Sequence, residues 1–472
     1  MELLGQASQY PAATIPIAEP EPASGSVDAQ SGKGPRIETA FEPLEARVLY
    51  AVKANSNLAL LATLAGLGSG FDVVSGGELV RVLRAGGDPE ATVFASVGKT
   101  TEELALAVGQ GVTVHVESAD ELDALREVAA GLERPARFAI RVNPDVEVDT
   151  HVNIQTGHDE AKFGVPVAVA HELLARAARG ELAGLTPVGV HVHVGSQLPD
   201  PDGVAAGARV GLEVLEAGRA AGLELDWLDV GGGLPVDYGG GSAVGPELFA
   251  AALKPVVAGH NVRLAVEPGR ALVARAGALV ARVLYRKHRS AGRMLVVDTG
   301  MHHLLRPALY QAVHRVRPLR AAPLAGPTEV VGPICESTDV LAAEADLPDL
   351  APGELVAFLD TGAYGMTMAS NYNGQPRPAE IVVAGGVARV ARRRETWEEL
   401  LASETGPAPR SPPSRDRSTR SAGSAYPPIV RVVVVGYHGP RTGSGGGCTA
   451  WPTSCSMMSP GCSQTAARPS RT

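Results

Sequence analysis

The sequence predicts an α/β fold: a (β/α)8 barrel of the TIM type, then a C-terminal antiparallel β-domain, with irregular N- and C-terminal tails. Three observations predict it. Short β-branched runs alternate with helical segments from Val48 onward, and eight such units precede residue 272. Polar side chains gather at the carboxyl ends of these runs, where barrel enzymes build their sites. After Arg270 the long helical segments stop.

The barrel strands are predicted from eight apolar runs. Between them, segments such as NLALLATLAGLG repeat apolar residues every three or four positions, the period of an amphipathic helix. The runs are VLYAVKAN (48–55), GFDVVS (70–75), TVFAS (92–96), TVHVES (113–118), RFAIRVNP (137–144), PVGVHVHVG (187–195), LDWLDVGGG (225–233) and RLAVEPGR (263–270).

The segments after the barrel predict strands without long helices. They are ALVARVLYRKH, RMLVVDTG, TEVVGPIC, ELVAFLDTG, AEIVVAG and VARVARR, with ETWEELLASE (395–404) as a closing helix. The predicted organisation is a flexible arm (1–40), a barrel (41–272), a β-domain (273–404) and a low-complexity tail (405–472). RVVVVGY (431–437) has strand propensity but no visible partner.

Composition points to a cytoplasmic enzyme of small-molecule chemistry. The chain has 472 residues and a formal net charge of -9, which disfavours binding to nucleic acid or an anionic membrane surface. No apolar run reaches the roughly 20 residues of a membrane span. The N-terminus lacks the order of a secretory signal. Cys335 stands apart from Cys448, Cys455 and Cys462. These spacings match neither a disulfide framework nor a zinc site, so we expect no metal.

Lys53 is the first candidate for chemistry. It ends a buried-looking strand run, and desolvation would lower the pKa of its ammonium, so that the neutral amine could attack an aldehyde. The alternative is a lysine that simply reaches solvent at the strand end. From this residue alone both interpretations stay open.

Two glycine-containing turns and one carboxylate add to this candidate. The turns at DVGGG (229–233) and EPGR (267–270) follow the last two strand runs, where barrels often bind phosphate. Glu267 could keep a pyridine nitrogen protonated, which makes such a ring an electron sink. An ion pair between Glu267 and Arg270 is the simpler alternative.

Seven motifs occur in the order of a known family. The chain resembles the pyridoxal-phosphate-dependent ornithine, diaminopimelate and arginine decarboxylases, which have an alanine-racemase-like barrel. The resemblance covers about residues 41–402. The motifs are YAVKAN (50–55), HVHVGSQ (191–197), DVGGG (229–233), EPGR (267–270), RPALY (306–310), GPICES (332–337) and GAYGMTMASNYNGQPRPAE (362–380).

The resemblance implies pyridoxal 5'-phosphate as the cofactor and a homodimer with shared active sites. Lys53 would carry the cofactor and His193 would stack on its ring. Glu267 would pair with the ring nitrogen, and Tyr372 would touch cofactor and substrate. Cys335, contributed across the dimer interface, would protonate the carbanion, although a lone cysteine is more often inert. The phosphate would be held by Ser196, Gly231, Gly232, Gly233, Gly269 and Arg270.

The resemblance also implies a substrate. Arg270, Arg306 and Tyr310 match positions that contact its non-reacting end, with Tyr372 nearby, and Glu336 would accept a distal ammonium. Glu336 and Gln311 stand where ornithine-type enzymes carry aspartates. This combination favours decarboxylation of meso-2,6-diaminopimelate to L-lysine and CO2. The alternatives are a same-fold decarboxylase of another diamino acid or an acylated substrate, and a non-catalytic relative that binds a cofactor or partner.

Three features depart from the family pattern. Thr338 stands where the family has glycine, and His302 and His303 replace an Asn-Asp type of pair. We expect the histidines to be a variation at the surface or in the substrate pocket. Before the lysine strand, the family has a strand and a helix that closes the barrel. Here Pro43 interrupts IETAFEPLEA and disfavours a long helix.

Overall fold

Eight parallel strands close into a barrel in chain order, with the first hydrogen-bonded to the last. The computed structural model describes residues 37–146, 162–239, 241, 243–384, 387–406 and the backbone of 434–437. All eight predicted runs form strands, which confirms the (β/α)8 barrel. They are β1 (Arg47–Ala51), β2 (Gly70–Val73), β3 (Thr92–Ala95), β4 (Thr113–Val116), β5 (Ala136–Val142), β6 (Leu185–Val192), β7 (Trp227–Asp229) and β8 (Arg263–Val266).

Helices cover the outside of the barrel. Several begin with a polar cap directly after a strand: the side chains of Asn57, Ser75 and Ser118 each accept a backbone N–H of the first turn. These caps start the helices at the barrel rim. The helices are α1 (Ile37–Phe41), α2 (Leu58–Gly66), α3 (Gly76–Arg84), α4 (Thr101–Gln110), α5 (Ala119–Gly131), α6 (Val167–Ala178), α7 (Asp202–Ala220) and α8 (Pro246–Val257).

The strand core is apolar on both faces. Every residue of β2, β3 and β4 is buried, because helices cover the outer face and side chains fill the interior. Phe71, Phe94 and Phe138 are fully buried there. Burying such a side chain stabilises the fold by about 1.5–3 kcal/mol. The few polar side chains of the interior are therefore conspicuous.

The described helix before β1 ends just before Pro43, the residue that the sequence predicted would interrupt it. Helix α1 ends at Phe41, and Pro43 lies in the following 3-10 turn, Glu42–Leu44. Ile37 and Phe41 are buried, and α1 packs against α8. None of the described helices is long and apolar enough to cross a membrane.

The second part of the chain forms a six-stranded sheet with its own apolar cluster, which includes Leu279, Val330 and Phe358. Its neighbours are antiparallel except for one parallel pair, β10 with β12. The short helices α9 (Arg270–Val273) and α10 (Arg306–Tyr310) flank its first strands. In spatial order the strands are β11 (Val316–Pro318), β14 (Leu355–Leu359), β9 (Ala278–Arg289), β10 (Gly292–Val297), β12 (Pro327–Val331) and β13 (Val340–Asp346).

Two strands of this sheet were not predicted. β11 has three residues and ends in proline, and β13, VLAAEAD, is rich in alanine and acidic residues, which have low strand propensity. Both are added by pairing with neighbouring strands. The predicted run TEVVGPIC ends as a strand at Val331, and its last residues form a loop.

A three-stranded sheet completes the described chain. β15 (Glu380–Ala384) lies between β16 (Val387–Arg392) and β17 (Val434–Tyr437). β17 gives the run at 431–437 the partner that the sequence did not reveal. The predicted closing helix is α11 (Trp397–Leu401), which starts at a capping box of Thr396 and Glu399. Residues 1–36, the rest of the tail and its three cysteines lie outside the described residues.

Candidate active site at the barrel mouth

Lys53 lies at the mouth of the barrel, in the 3-10 turn Val52–Ala54 after β1. Its Nζ donates to Oδ2 of Asp72, on β2, at 2.5 Å. The Asp72 side chain is fully buried, whereas the Lys53 side chain is 39% exposed. The amine is therefore held inward by a carboxylate but can still be reached from the mouth, as a reactive lysine requires.

The pKa of Lys53 differs from our prediction. Burial lowers the pKa, as predicted, but the negative charges of Asp72 and Glu267 outweigh burial and raise it. Burial, together with Glu267, raises the pKa of Asp72 to about 6. The prediction of a lowered lysine pKa was wrong because the sequence did not reveal Asp72. Before Lys53 can act as a nucleophile it must lose a proton, and Asp72 is its bonded acceptor.

A layer of buried polar groups lies beside this pair. His115, on β4, and His191, on β6, stack with ring centroids 4.4 Å apart. His191 Nε2 lies 3.5 Å from Oε2 of Glu267, and His115 Nδ1 lies 4.0 Å from its Oε1. His115 Nε2 lies 4.0 Å from Asp229 Oδ2. Four strands thus bring two imidazoles and two carboxyls together.

Burial sets the protonation of this layer. It lowers the pKa of both His115 and His191 well below the ordinary value, because a charged imidazole is poorly solvated there. Burial and the charge of Glu267 raise the pKa of Asp229 well above its ordinary value. Both rings are therefore neutral at neutral pH, and Asp229 resists ionisation beside Glu267.

Three groups of the layer could also hold a metal ion. One ligand atom each from His115, His191 and Glu267 lie within 4.8 Å of one another. After burial, the positive charges of Arg141 and Lys53 are the main causes that lower the pKa of His191. A positive potential that opposes a proton also opposes a metal cation. We interpret the layer as a set of buried, neutral imidazoles that lies beside Glu267 and not as a metal site.

The glycine turn after β7 is built for close approach. Gly231 has a φ of +68°, which favours glycine, and a Cβ on Gly232 would lie 2.5 Å from the Glu267 carbonyl oxygen. Gly232 N donates to His193 Nδ1 at 3.2 Å. His193 therefore carries its proton on Nε2, and burial lowers its pKa well below the ordinary value.

These residues fit pyridoxal phosphate. Lys53 offers an amine for an aldehyde, and the turn at Gly231–Gly233 is of the glycine-rich kind that binds phosphate through backbone N–H groups. Oε1 of Glu267 is buried and has no hydrogen-bond partner among the described residues, as a partner for a protonated ring nitrogen should be. Gly269 packs against the Lys53 turn: a Cβ there would lie 3.0 Å from the Cβ atoms of Ala51 and Ala54.

Arg270 does not pair with Glu267. Its guanidinium donates to Tyr238 Oη and to Ser196 Oγ, both at 3.1 Å, and lies 4.7 Å from the centre of the Tyr364 ring. The simple ion-pair interpretation of Glu267 and Arg270 is therefore wrong. Arg270 instead connects the candidate phosphate residue Ser196 with two tyrosines.

Arg306 lies next to this group, at the start of α10. Its guanidinium lies 4.2 Å from the centre of the Tyr238 ring and donates to His314 Nε2 at 2.8 Å. Arg270 and Arg306 are 9% and 5% exposed. Among the described residues, neither has a carboxylate within 4.0 Å, although buried cations are normally paired. Two such guanidiniums are chemically suited to bind an anion. Tyr310, half-buried, ends the same helix.

The remaining predicted residues lie at an exposed edge of the β-domain. Cys335, Glu336 and Tyr372 are exposed, and Tyr372 Oη donates to the Glu336 carboxylate. Cys335 N donates to Asn373 Oδ1 at 2.9 Å. The predicted site residues thus form two groups: a buried mouth and this edge, which we call the Cys335 edge.

The histidine pair at 302 and 303 is not a surface variation. His302 and His303 are 2% and 3% exposed, and their rings lie 3.5 Å apart. His303 bonds Thr299 Oγ1 at 3.1 Å and the Pro376 carbonyl at 3.0 Å. We infer that the pair packs the β-domain under the loop that carries Tyr372. Thr338 contacts Met301 Sδ at 4.0 Å.

Several polar residues of the site were missed from sequence. His191, Asp229 and Tyr364 lie inside the family motifs but were assigned no role, and the others lie in runs that we interpreted only as a strand or a loop. A signal was available for the strand residues: a polar side chain within an apolar run of a barrel points into the interior or the mouth. Tyr238, His314 and Tyr364 carried no such signal. The missed residues are Asp72, His115, His191, Asp229, Tyr238, His314 and Tyr364.

Known proteins resemble this chain in sequence. Residues 33–274 match the family model of the pyridoxal-dependent decarboxylases, pyridoxal binding domain. Diaminopimelate decarboxylase of Pseudomonas aeruginosa is 46% identical over 364 residues, which cover 76% of this chain and 86% of the relative. Its Neisseria meningitidis serogroup A counterpart is 42% identical over 371 residues, 78% of this chain and 90% of the relative.

A solved structure agrees as well. Diaminopimelate decarboxylase from Helicobacter pylori complexed with L-lysine is 38% identical, with a TM-score of 0.74 over 79% of this chain and 97% of that one. Fold, motif order and site residues therefore lead to one conclusion. The chain belongs to the pyridoxal-dependent decarboxylase family.

Proposed function

We propose that this chain holds pyridoxal phosphate at Lys53 and decarboxylates meso-2,6-diaminopimelate to L-lysine and CO2. The observation that carries the substrate assignment is the buried pair Arg270 and Arg306, which lacks a carboxylate among the described residues. A guanidinium binds a carboxylate through two hydrogen bonds, so this pair suits the second carboxylate of a dicarboxylic diamino acid. The relatives named above support the same substrate.

When bound, pyridoxal phosphate supplies a ring that takes up the electron pair left by departing CO2. Glu267 would hold the ring nitrogen protonated, supported by the neutral layer of His115, His191 and Asp229. His193 would lie against the ring. Asp72 would take the proton that Lys53 must lose.

The phosphate would be held by backbone and side-chain donors around the glycine turn. Gly233, Ser196, Gly269 and Arg270 would supply these donors, because the N–H groups of Gly231 and Gly232 already donate to Asp229 Oδ1 and His193 Nδ1. Gly231 and Gly232 pack closely against His193 and the Glu267 carbonyl, where a Cβ would collide, so the turn keeps this shape only with glycine. Arg270 would then serve both the phosphate side and the substrate side of the pocket.

The Cys335 edge completes the site if the protein is a homodimer. Cys335 would protonate the product carbanion, Glu336 would accept the distal ammonium, and Tyr372 would contact both ligands. Their exposure supports this proposal, because groups that act on a buried substrate must be covered by another surface. Tyr310 would line the distal end with Arg306.

The test is CO2 release by the purified, cofactor-loaded protein. We expect turnover of meso-diaminopimelate and little or none of ornithine, lysine or arginine, because these lack a second carboxylate. Preference for one of the other three, or for an acylated diamino acid, would identify a different decarboxylase of the same fold. Yellow, cofactor-loaded protein without any turnover would identify a non-catalytic relative.

A further inference from the structure

The Arg306 guanidinium has an unusual hydrogen-bond partner. His314, in the loop between α10 and β11, accepts from Arg306 Nη1 through Nε2 at 2.8 Å, and its Nδ1 lies 2.9 Å from the Leu359 carbonyl oxygen. We propose that His314 is a specificity-determining positioning residue: it fixes Arg306 without cancelling its charge, which stays available for a substrate carboxylate. This inference rests on the proposed function.

The two hydrogen bonds determine the tautomer of His314. A guanidinium can only donate hydrogen bonds, so Nε2 of His314 must be unprotonated and accept through its lone pair. A carbonyl oxygen can only accept, so Nδ1 must carry the proton. One neutral imidazole satisfies both contacts, whereas an imidazolium would direct a second N–H at the guanidinium.

Burial supports the neutral form. His314 is 2% exposed, and the Tyr238 ring packs edge-on against it at 5.2 Å. Burial lowers the pKa of His314 to about 4, and the charge of Arg306 acts in the same direction. Tyr238 also lies under the Arg306 guanidinium, so the ring and the imidazole together hold it in place.

The next residue in the chain shows the alternative. Arg315 pairs with Asp360, its Nη2 lying 2.8 Å from Oδ2, and Asp360 follows Leu359 directly. The adjacent segments 314–315 and 359–360 therefore give Arg315 a carboxylate partner, Asp360, and give Arg306 a neutral acceptor, His314. Arg315 has its charge cancelled and its side chain is 40% exposed, whereas Arg306 is buried with its charge intact.

A matched pair of variants tests this proposal. His314→Gln and His314→Glu reach equally far toward Arg306 and differ in charge. Calorimetry on cofactor-loaded protein would compare L-lysine, which keeps the distal carboxylate, with 1,5-diaminopentane, which lacks it. We expect His314→Gln to bind lysine nearly as well as the unmodified protein, and His314→Glu to bind it roughly 10- to 100-fold more weakly. Diaminopentane affinity should be equal in both variants.

Equal lysine affinity in the Gln and Glu variants would overturn the proposal, as would an equal loss for diaminopentane. The exposed His288→Glu controls for added negative charge and should change neither affinity. If His314→Glu does not fold, the shorter pair His314→Asn and His314→Asp repeats the comparison. Failure of the proposed function would instead be absence of CO2 release by the unmodified protein, which leaves the binding comparison valid.

Discussion

The barrel mouth buries its carboxylates Asp72 and Glu267 and leaves Lys53 partly exposed, whereas the Cys335 edge presents all of its predicted site residues to solvent. Lys53 bonds Asp72 directly; against the effect of burial, the charges of Asp72 and Glu267 raise the pKa of Lys53, and burial together with Glu267 raises that of Asp72. At the edge, Tyr372 is 44% exposed. Burial strengthens electrostatic interactions, so the mouth is organised within one chain. The edge needs a covering surface before it can act in a water-poor site.

This contrast separates two kinds of contribution. The mouth groups would capture the cofactor in a single subunit, because their contacts lie within one chain. In the proposed dimer the edge groups would contribute only after assembly, because they would act on a substrate bound in the mouth of the other subunit. Variants in the mouth should therefore lose cofactor attachment, whereas variants at the edge should keep it and lose only turnover.

The largest effect is expected for Lys53→Ala. It removes the amine that would carry the cofactor, so turnover should fall below detection and borohydride should trap no cofactor on the protein. Mass spectrometry after borohydride treatment measures the attachment directly. Lys254→Ala, at an exposed lysine of α8, serves as the control and should behave like the unmodified protein. Turnover and trapping that both survive in Lys53→Ala would refute the assignment.

Cys335→Ala should come next. Loss of a proton donor lowers kcat by about 10²- to 10⁴-fold. Cofactor trapping at Lys53 should be unchanged, because the mouth does not depend on the edge. The steady-state rate and the trapped fraction, measured on one preparation, separate the two regions.

Mixing the two inactive variants sharpens this test. If each site combines Lys53 of one subunit with Cys335 of the other, mixed dimers hold one intact site. Random exchange should then restore about a quarter of the unmodified rate. No recovery after subunit exchange, verified by tagged subunits, would place both residues in a site of a single chain.

The smallest effect is expected for His115→Asn, on stability. An unfolded histidine has a pKa of about 6.5, and that of folded His115 lies well below it, so the unfolded state binds the extra proton as pH falls. Stability from this group is present above pH 6.5 and is lost below it. As the pH is lowered below 6, the unfolding free energy of the variant should therefore fall less steeply than that of the unmodified protein. The difference in slope should be about 1.4 kcal/mol per pH unit.

Urea unfolding at pH 7, 6 and 5 measures this slope. The exposed His288→Asn provides the control and should keep the slope of the unmodified protein. An unchanged slope in His115→Asn would mean that His115 is protonated in the folded state, and that the layer beside Glu267 is charged.

Much of the fold could be predicted because its signals are local. The apolar runs and the helical spacing between them predicted all eight barrel strands. β13 was missed because its alanine and acidic residues have low intrinsic strand propensity, and β11 because it is only three residues long and pairs with β14, well beyond it in the sequence. β17 pairs with β15, about 50 residues before it in the sequence, and no local pattern encodes that pairing.

The sequence by itself determined the barrel, the lysine at the end of the first strand and the motif order that identifies the family. Periodicity and turn chemistry are properties of short segments, so they can be recognised in a single sequence. Only the tertiary structure decided that Asp72 raises the pKa of Lys53, that His115 and His191 stack beside Glu267, and that a neutral His314 holds Arg306. These outcomes depend on distances of a few ångströms and on burial, and both arise only when strands and loops from distant parts of the chain converge.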